Sequence, residues 1–164
     1  MKVGIIADTH DNLSNIDKAV KRLNEEKVQL VLHAGDYVAG FSVLRFKPLK
    51  AKLIGIFGNN DGDHQLLTKR FQEINAEIRG NFAEVTADNV KIAMVHGDDM
   101  ELLNSLIGTE SYDVVVHAHS HEASIIRKGK TIIINPGEVC GYLSGKLTFA
   151  LLDTETLNAK IVQI

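Results

Sequence analysis

Apolar and polar positions follow two periods along the chain. Val3 to Ala7 is a short apolar run of strand length, and Leu13, Ile16, Val20 and Leu23 then recur at the three- and four-residue spacing of one helix face. A strand followed by an amphipathic helix is predicted. The unit returns as Val28 to Ala34 with a short segment ending near Pro48, as Leu53 to Phe57 with a helix over roughly Gln65 to Ile74, and as Val90 to Val95 with a helix over Met100 to Ile107. From Val114 onward the pattern becomes one of strands. Lys128-Gly129 reads as a hairpin turn between Ile125-Ile126 and Ile132 to Ile134, and Phe149 to Leu152 pairs with Ala159 to Ile164 across Asp153 to Asn158. Such βα units followed by hairpins predict an α/β protein in which helices pack on β-sheet layers.

Composition narrows the setting without changing this picture. A length of 164 residues with 45% hydrophobic and 24% charged side chains suits one ordinary domain with its own core. No repeat, low-complexity tract or linker is visible, so residues 1–164 read as one continuous domain. The net charge of -3 offers no general attraction to nucleic acid or an anionic membrane, and no dedicated nucleic-acid surface or membrane contact is expected. An anionic substrate would have to meet local positive charge, which bound metal can supply. Cys140 is the single cysteine and cannot form an internal disulfide, and the N-terminus lacks the features of a signal peptide, so a cytoplasmic protein is expected. The oligomeric state stays open, a homo-oligomer included.

The chemistry gathers where apolar runs end. Five of them stop at metal-ligand residue types: Asp8-Thr9-His10, Gly35-Asp36, Gly58-Asn59-Asn60-Asp61, His96-Gly97 and His119-Ser120-His121. Open α/β sheets bind ligands beyond the carboxyl ends of their strands, so these segments can converge despite their separation in sequence. Imidazole, carboxylate and amide donors without a thiolate suit divalent ions such as manganese, iron, nickel, cobalt or zinc. Each segment alone is weak, since Gly and Asp after a strand are ordinary turn residues. His119 and His121 say more, because residues two apart in an extended segment face the same way and can approach one metal cluster. His33, inside an apolar run, and His64, near a helix start, read as structural; His117 and Asp61 read as supports for the ligands, and Cys140 as a buried, unactivated thiol.

The ordered set of segments resembles the calcineurin-like metallophosphoesterase family, whose blocks read D-x-H, G-D, G-N-[HND]-[DE], H-G and G-H-x-H. The resemblance runs from Asp8 to His121 and is strongest to the small bacterial and archaeal phosphodiesterases of that family, whose short block after the last histidine pair Asn135-Pro136-Gly137-Glu138 also resembles. It implies a sandwich of two mixed β-sheets flanked by helices. It also implies that Asp8, His10 and His121 hold one metal ion, Asn59, His96 and His119 a second, and that Asp36 bridges them. Manganese or nickel are the first choices. The implied reaction is attack of a metal-activated hydroxide on a small phosphodiester, with a phosphomonoester as runner-up. Asn60, the candidate catalytic residue, stands where many members carry a histidine; asparagine can hydrogen-bond a phosphate but cannot donate a proton near neutral pH. Ala118 and Ser120 depart from the glycine and threonine common in the last block.

Relatives of the fold include a scaffold subunit of the retromer coat, so a protein-binding role is the rival reading from another class. Here every ligand position of the family is filled, which favours the enzyme. A nucleotide-binding module ranks last, because no glycine-rich phosphate loop follows any predicted strand.

Overall fold

The structure, a computed structural model, describes residues 1–164. In chain order its strands are β1 (Lys2–Ile6), β2 (Leu30–His33), β3 (Lys52–Gly55), β4 (Glu77–Ile78), β5 (Phe82–Ala87), β6 (Val90–Val95), β7 (Val114–Val116), β8 (Ser124–Lys128), β9 (Thr131–Asn135), β10 (Thr148–Asp153) and β11 (Asn158–Gln163). The α-helices are α1 (Leu13–Glu25), α2 (Gly40–Val43), α3 (His64–Glu73) and α4 (Met100–Gly108). They form two mixed sheets, of order β11-β10-β1-β2-β3-β4 and β5-β6-β7-β9-β8. Strands β1 to β4 are parallel in the first sheet and β6, β7 and β9 in the second.

The apolar runs are unbroken because the central strands bury both faces. Val3, Ile5, Leu32 and Ile54 of the first sheet meet Ile92, Met94, Val116 and Ile134 of the second in a core between the sheets. The alternate residues Ile6, Val31 and Leu53 point outward, where Ile16 and Leu23 of α1 and Leu67 and Phe71 of α3 cover them. On the far side Leu103 of α4 packs on Ala93, Val95 and Val115. The result is a helix–sheet–sheet–helix stack. Asn12, Asp63 and Asp99 start α1, α3 and α4 by accepting backbone N–H bonds from Asn15, Leu66 and Leu102, so polar residues just beyond strand ends also fix where the helices begin.

Three details differ from the sequence reading. The β8–β9 turn is Gly129-Lys130, one residue later than expected, because Lys128 pairs with Thr131 and Gly129, at φ +57°, takes the left-handed first loop position. Strand β4 has only two residues, too short for any periodic signal. Strand β5 turns Ala83, Val85 and Ala87 inward, and two alanines among three core residues leave its alternation faint.

Candidate metal centre

The parallel strands of both sheets end at one edge of the sandwich, and their following loops carry the polar segments. Asp8 and His10 follow β1, Asp36 follows β2, Asn59 and Asn60 follow β3, His96 follows β6, and His119 and His121 follow β7. Asp36 lies at the middle. Its Oδ2 is 3.4 Å from His10 Nε2 and 3.3 Å from His96 Nε2, which brings a first-sheet loop against a second-sheet loop. Asp8 Oδ1 lies 3.8 Å from His10 Nε2 and 3.7 Å from His121 Nε2. Beside them His119 Nδ1 and Asn59 Oδ1 are 2.9 Å apart, with the His119 ring centroid 5.3 Å from that of His96. All seven ligand-type residues of the sequence reading gather here.

Both oxygens of Asp8, His10 Nε2 and His96 Nε2 are buried without a hydrogen-bond partner. Leaving such groups unpaired costs about 1–3 kcal/mol each unless something else binds them. Carboxylate and imidazole atoms turned toward one space fit a divalent cation, and the donor set suits transition metals better than calcium. The Asp8, His10 and Asp36 ligand atoms all lie within 4.8 Å of one another. The histidines are oriented from behind: His96 Nδ1 donates to the Ala34 carbonyl at 2.8 Å and His121 Nδ1 to Glu138 Oε2 at 2.7 Å, leaving each Nε2 for the centre.

Proximity of opposite charges sets the protonation states. Burial works to lower the His96 pKa, but the Asp36 carboxylate, 3.3 Å from Nε2, and the Ala34 carbonyl raise it to about 9. Asp36 is the converse case: burial opposes ionisation, yet His96 and two hydrogen bonds from Asn60 hold its carboxyl well below the usual range. The Asp8 carboxylate, 3.8 Å from Nε2, raises His10 against the opposing effect of burial.

The loops are held in conformations side chains rarely adopt. Asp8, His10, Asp36, His119 and His121 all have positive φ, between +39° and +67°, a cost that concentrates at functional sites. Gly35, at φ +99°, could not carry a Cβ, which would stand 2.6 Å from Gly58 N and 2.9 Å from His96 Nδ1. Asp61, buried beneath, accepts the N–H groups of Asp36, Tyr37, Val38 and Gly58 at 2.8–2.9 Å, tying the β2 and β3 loops together. Asp61→Asn replaces an acceptor by an amide that faces those donors, and is expected to destabilise the fold by about 1–3 kcal/mol. Urea unfolding measures this; an unchanged midpoint and slope would show that the four bonds are dispensable.

The expectation that His119 and His121 face the same way is not met. The segment is not extended, both residues have left-handed backbone, and the rings diverge. His121 stacks near His10, with centroids 5.2 Å apart, while His119 joins Asn59 and His96. Asn60, exposed at the rim, is committed to Asp36: its backbone N–H and Nδ2 donate to the two Asp36 oxygens at 2.9 and 2.7 Å. His33 is structural. Its Nδ1 accepts from Gly35 N–H, so Nε2 donates to Thr9 Oγ1, and burial pushes its pKa well down. His64 stacks on Phe57 with centroids 3.8 Å apart.

The residue that sequence reasoning passed over is Glu138, after the sixth strand end, that of β9. Its fully buried carboxylate accepts bonds from His121, Cys140, Tyr142, Leu143 and Ser144. Burial alone would raise its pKa; the bonds from Cys140, Ser144 and His121 bring it down to about 2. The buried Cys140 thiol is pushed up to about 12 by burial and by Glu138, so it serves as a donor although it lies close to His10 and His121. A signal existed in the Asn-Pro-Gly-Glu block, but nothing local linked an acid there to a histidine 17 positions earlier.

Comparison with known proteins agrees with this architecture. Residues 1–157 match the calcineurin-like phosphoesterase superfamily domain. The chain is 42% identical over 156 residues to Phosphodiesterase MJ0936 of Methanocaldococcus jannaschii, covering 94% of each. The structure of an archaeal phosphodiesterase superposes with a TM-score of 0.96 at 39% identity, covering all of both chains. Vps29 of Entamoeba histolytica, determined with zinc, shares the fold at a TM-score of 0.73 and 19% identity, over 100% of this chain and 98% of that one. From its matched sequence, and with a strand-end cluster suited to the divalent ions this family uses, the chain belongs to the calcineurin-like phosphoesterase superfamily and is a phosphoric ester hydrolase.

Proposed function

We propose that this chain is a phosphodiesterase working with two divalent transition-metal ions at the strand-end cluster. The observation that carries the two-metal reading is the set of buried, unpartnered atoms on Asp8, His10 and His96 around Asp36. The name of the 42% identical relative favours a diester over a monoester. Asp8, His10 and His121 would hold one ion and Asn59, His96 and His119 the other, and Asp36, whose Oδ2 lies near both His10 and His96, would be shared between them. Bound there, the ions supply acidity to a water molecule and positive charge to the phosphoryl oxygens.

The protein contributes a shaped, graded site. Asp8, Asp36, His96 and His121 form a buried floor, whereas Asn59, Asn60 and His119 are exposed and mark the side on which a substrate arrives. Asn60 restrains Asp36 and has no proton to give the departing oxygen. Turnover is therefore expected to depend steeply on leaving-group acidity, with aryl diesters cut far faster than alkyl ones. Asn60→His, which introduces a group ionising near neutrality, should help poor leaving groups selectively, by about a hundredfold where protonation limits the rate. A graded series of diesters on both proteins checks this; a shallow dependence unchanged by Asn60→His would mean that another residue donates the proton.

The function itself is tested by stripping the protein with chelator, reloading it with manganese, nickel, zinc or calcium, and offering linear and cyclic diesters beside monoesters. Diester hydrolysis restored best by a transition metal is expected, because imidazole is a poor ligand for calcium. Hydrolysis of monoesters alone would transfer the assignment to a phosphomonoesterase, and metal binding without any hydrolysis would reject both.

A further inference from the structure

Glu138 joins two features that the reaction does not require to be joined. One face of its buried carboxylate is committed to the centre: Oε2 accepts from His121 Nδ1 at 2.7 Å. The same oxygen accepts from Cys140 Sγ at 2.9 Å and from Tyr142 N–H at 3.0 Å. Oε1 accepts from Leu143 N–H at 3.1 Å and from Ser144 Oγ at 2.6 Å, with the Ser144 N–H as a further donor. The segment from Cys140 to Ser144 is thus wound around a single side chain that also holds a ligand-type histidine. It is also tied by the Cys140 N–H to the Asp8 carbonyl at 3.0 Å, by the Asn12 and Asn15 side chains to the Cys140 carbonyl at 3.0 and 2.9 Å, and by Ser144 Oγ, which exchanges bonds with the Lys146 backbone. At its tip Tyr142 and Leu143 are 62% and 74% exposed, the most open large apolar side chains of the protein. Most of each side chain is open to solvent, while their backbone N–H groups are both held by the carboxylate beneath them.

We infer that Glu138 is a positioning residue that couples metal binding at His121 to the order of the 140–144 segment. The inference rests on the proposed metal centre. A negative acceptor behind Nδ1 fixes the His121 ring with Nε2 toward Asp8 and strengthens Nε2 as a donor to a cation. A cation on Nε2 would hold the His121 ring in one place, and through the 2.7 Å bond would hold the Glu138 carboxylate that Tyr142, Leu143 and Ser144 donate to, so the coupling is one of position. Because coupling free energies are reciprocal, a well-formed segment must in turn favour metal binding. The exposed Tyr142 and Leu143 are one carboxylate away from His121, so loading the site would steady the segment that carries them.

Three readings test this on the whole chain. In metal-free wild type, long-range proton–nitrogen spectra of the imidazoles in mildly alkaline buffer should show His121 as the Nδ1–H tautomer; the Nε2–H tautomer would overturn the inference without any variant. Hydrogen exchange followed by mass spectrometry should show residues 140–146 slowed by saturating manganese(II); no change on saturation would remove the coupling. Calorimetric titration with manganese(II) should find Glu138→Ala weaker by about 10- to 100-fold. Glu138→Gln, whose carboxamide oxygen can still accept from His121, should recover part of that loss. Ser144→Ala, which removes the Oγ bond to Glu138 Oε1 but leaves the His121 bond to Oε2, should speed exchange of the segment and weaken manganese(II) by a few-fold, leaving the His121 tautomer as it was. If wild type and all three variants bind manganese(II) equally, Glu138 only staples the segment and the inference fails while the metal centre stands. If wild type binds none, the metal centre itself is wrong and the inference falls with it.

Discussion

Asp36→Asn is expected to abolish hydrolysis and to lower transition-metal affinity by more than the roughly 10- to 100-fold typical of changes behind a metal ligand. The side chain is at the geometric centre: His10 and His96 approach its Oδ2 at 3.4 and 3.3 Å, and Asn60 clamps both of its oxygens. Asparagine keeps the shape but loses the charge that makes one residue able to serve two cations. It also removes the partner that raises His96, so two imidazoles would face an amide in a buried setting. Asp8→Asn should be milder, since Asp8 reaches His10 and His121 but not the His96 side. Metal content by mass spectrometry, with turnover of an aryl diester, measures the effect. Two ions retained and turnover unchanged in Asp36→Asn would falsify the bridging assignment.

Metal uptake by chelator-stripped protein should strengthen with pH by about tenfold per unit for each proton displaced, and level off near the His96 pKa. The His96 pKa of about 9, raised from 6.5, means that Nε2 carries a proton across the neutral range, and a cation must evict it. His10, raised by Asp8, adds to the slope. Stability of the stripped fold runs the other way. A histidine whose folded pKa is raised contributes stability that is fully present below pH 6.5 and is lost as pH rises through about 9. Asp36, depressed by the same pairing, contributes stability present above its ordinary value of 3.8 and lost as pH falls through its lower folded value. Between pH 6.5 and 9 the stripped protein should therefore melt progressively lower while the stabilisation by added metal grows. Titrations in buffers of different ionisation enthalpy count the protons released. An affinity flat across this interval would show that His96 and Asp36 are not paired in solution.

Much of the scaffold was written in local pattern. Strands buried on both faces must be continuously apolar, so Val3 to Ala7, Val28 to Ala34 and Val90 to Val95 announced themselves, and the helical spacing of Leu13, Ile16, Val20 and Leu23 followed from the need to cover one sheet face. The residues that gather at the centre were legible because metal-ligand types stood one after another at strand ends, and parallel strands bring their carboxyl ends to one edge. Membership of the phosphoesterase superfamily followed from the order of those segments.

Orientation was not legible, because it depends on backbone dihedrals and on partners far away in sequence. The two-residue spacing of His119 and His121 suggested one direction, and two left-handed residues sent the rings apart. Asn60 read as a group for the phosphate, and folding turned it onto Asp36, a residue 24 positions earlier. Asp61 and Glu138 carried no periodic or spacing signal of their role, since a carboxylate that gathers backbone N–H groups is recognisable only once the loops supplying them have been brought together. The sequence by itself determined which atoms could bind a cation and at which edge of the sandwich they would meet. Only the tertiary structure decided how each is aimed, because aim is set by long-range hydrogen bonds such as Asp61 to the β2 loop and Glu138 to His121.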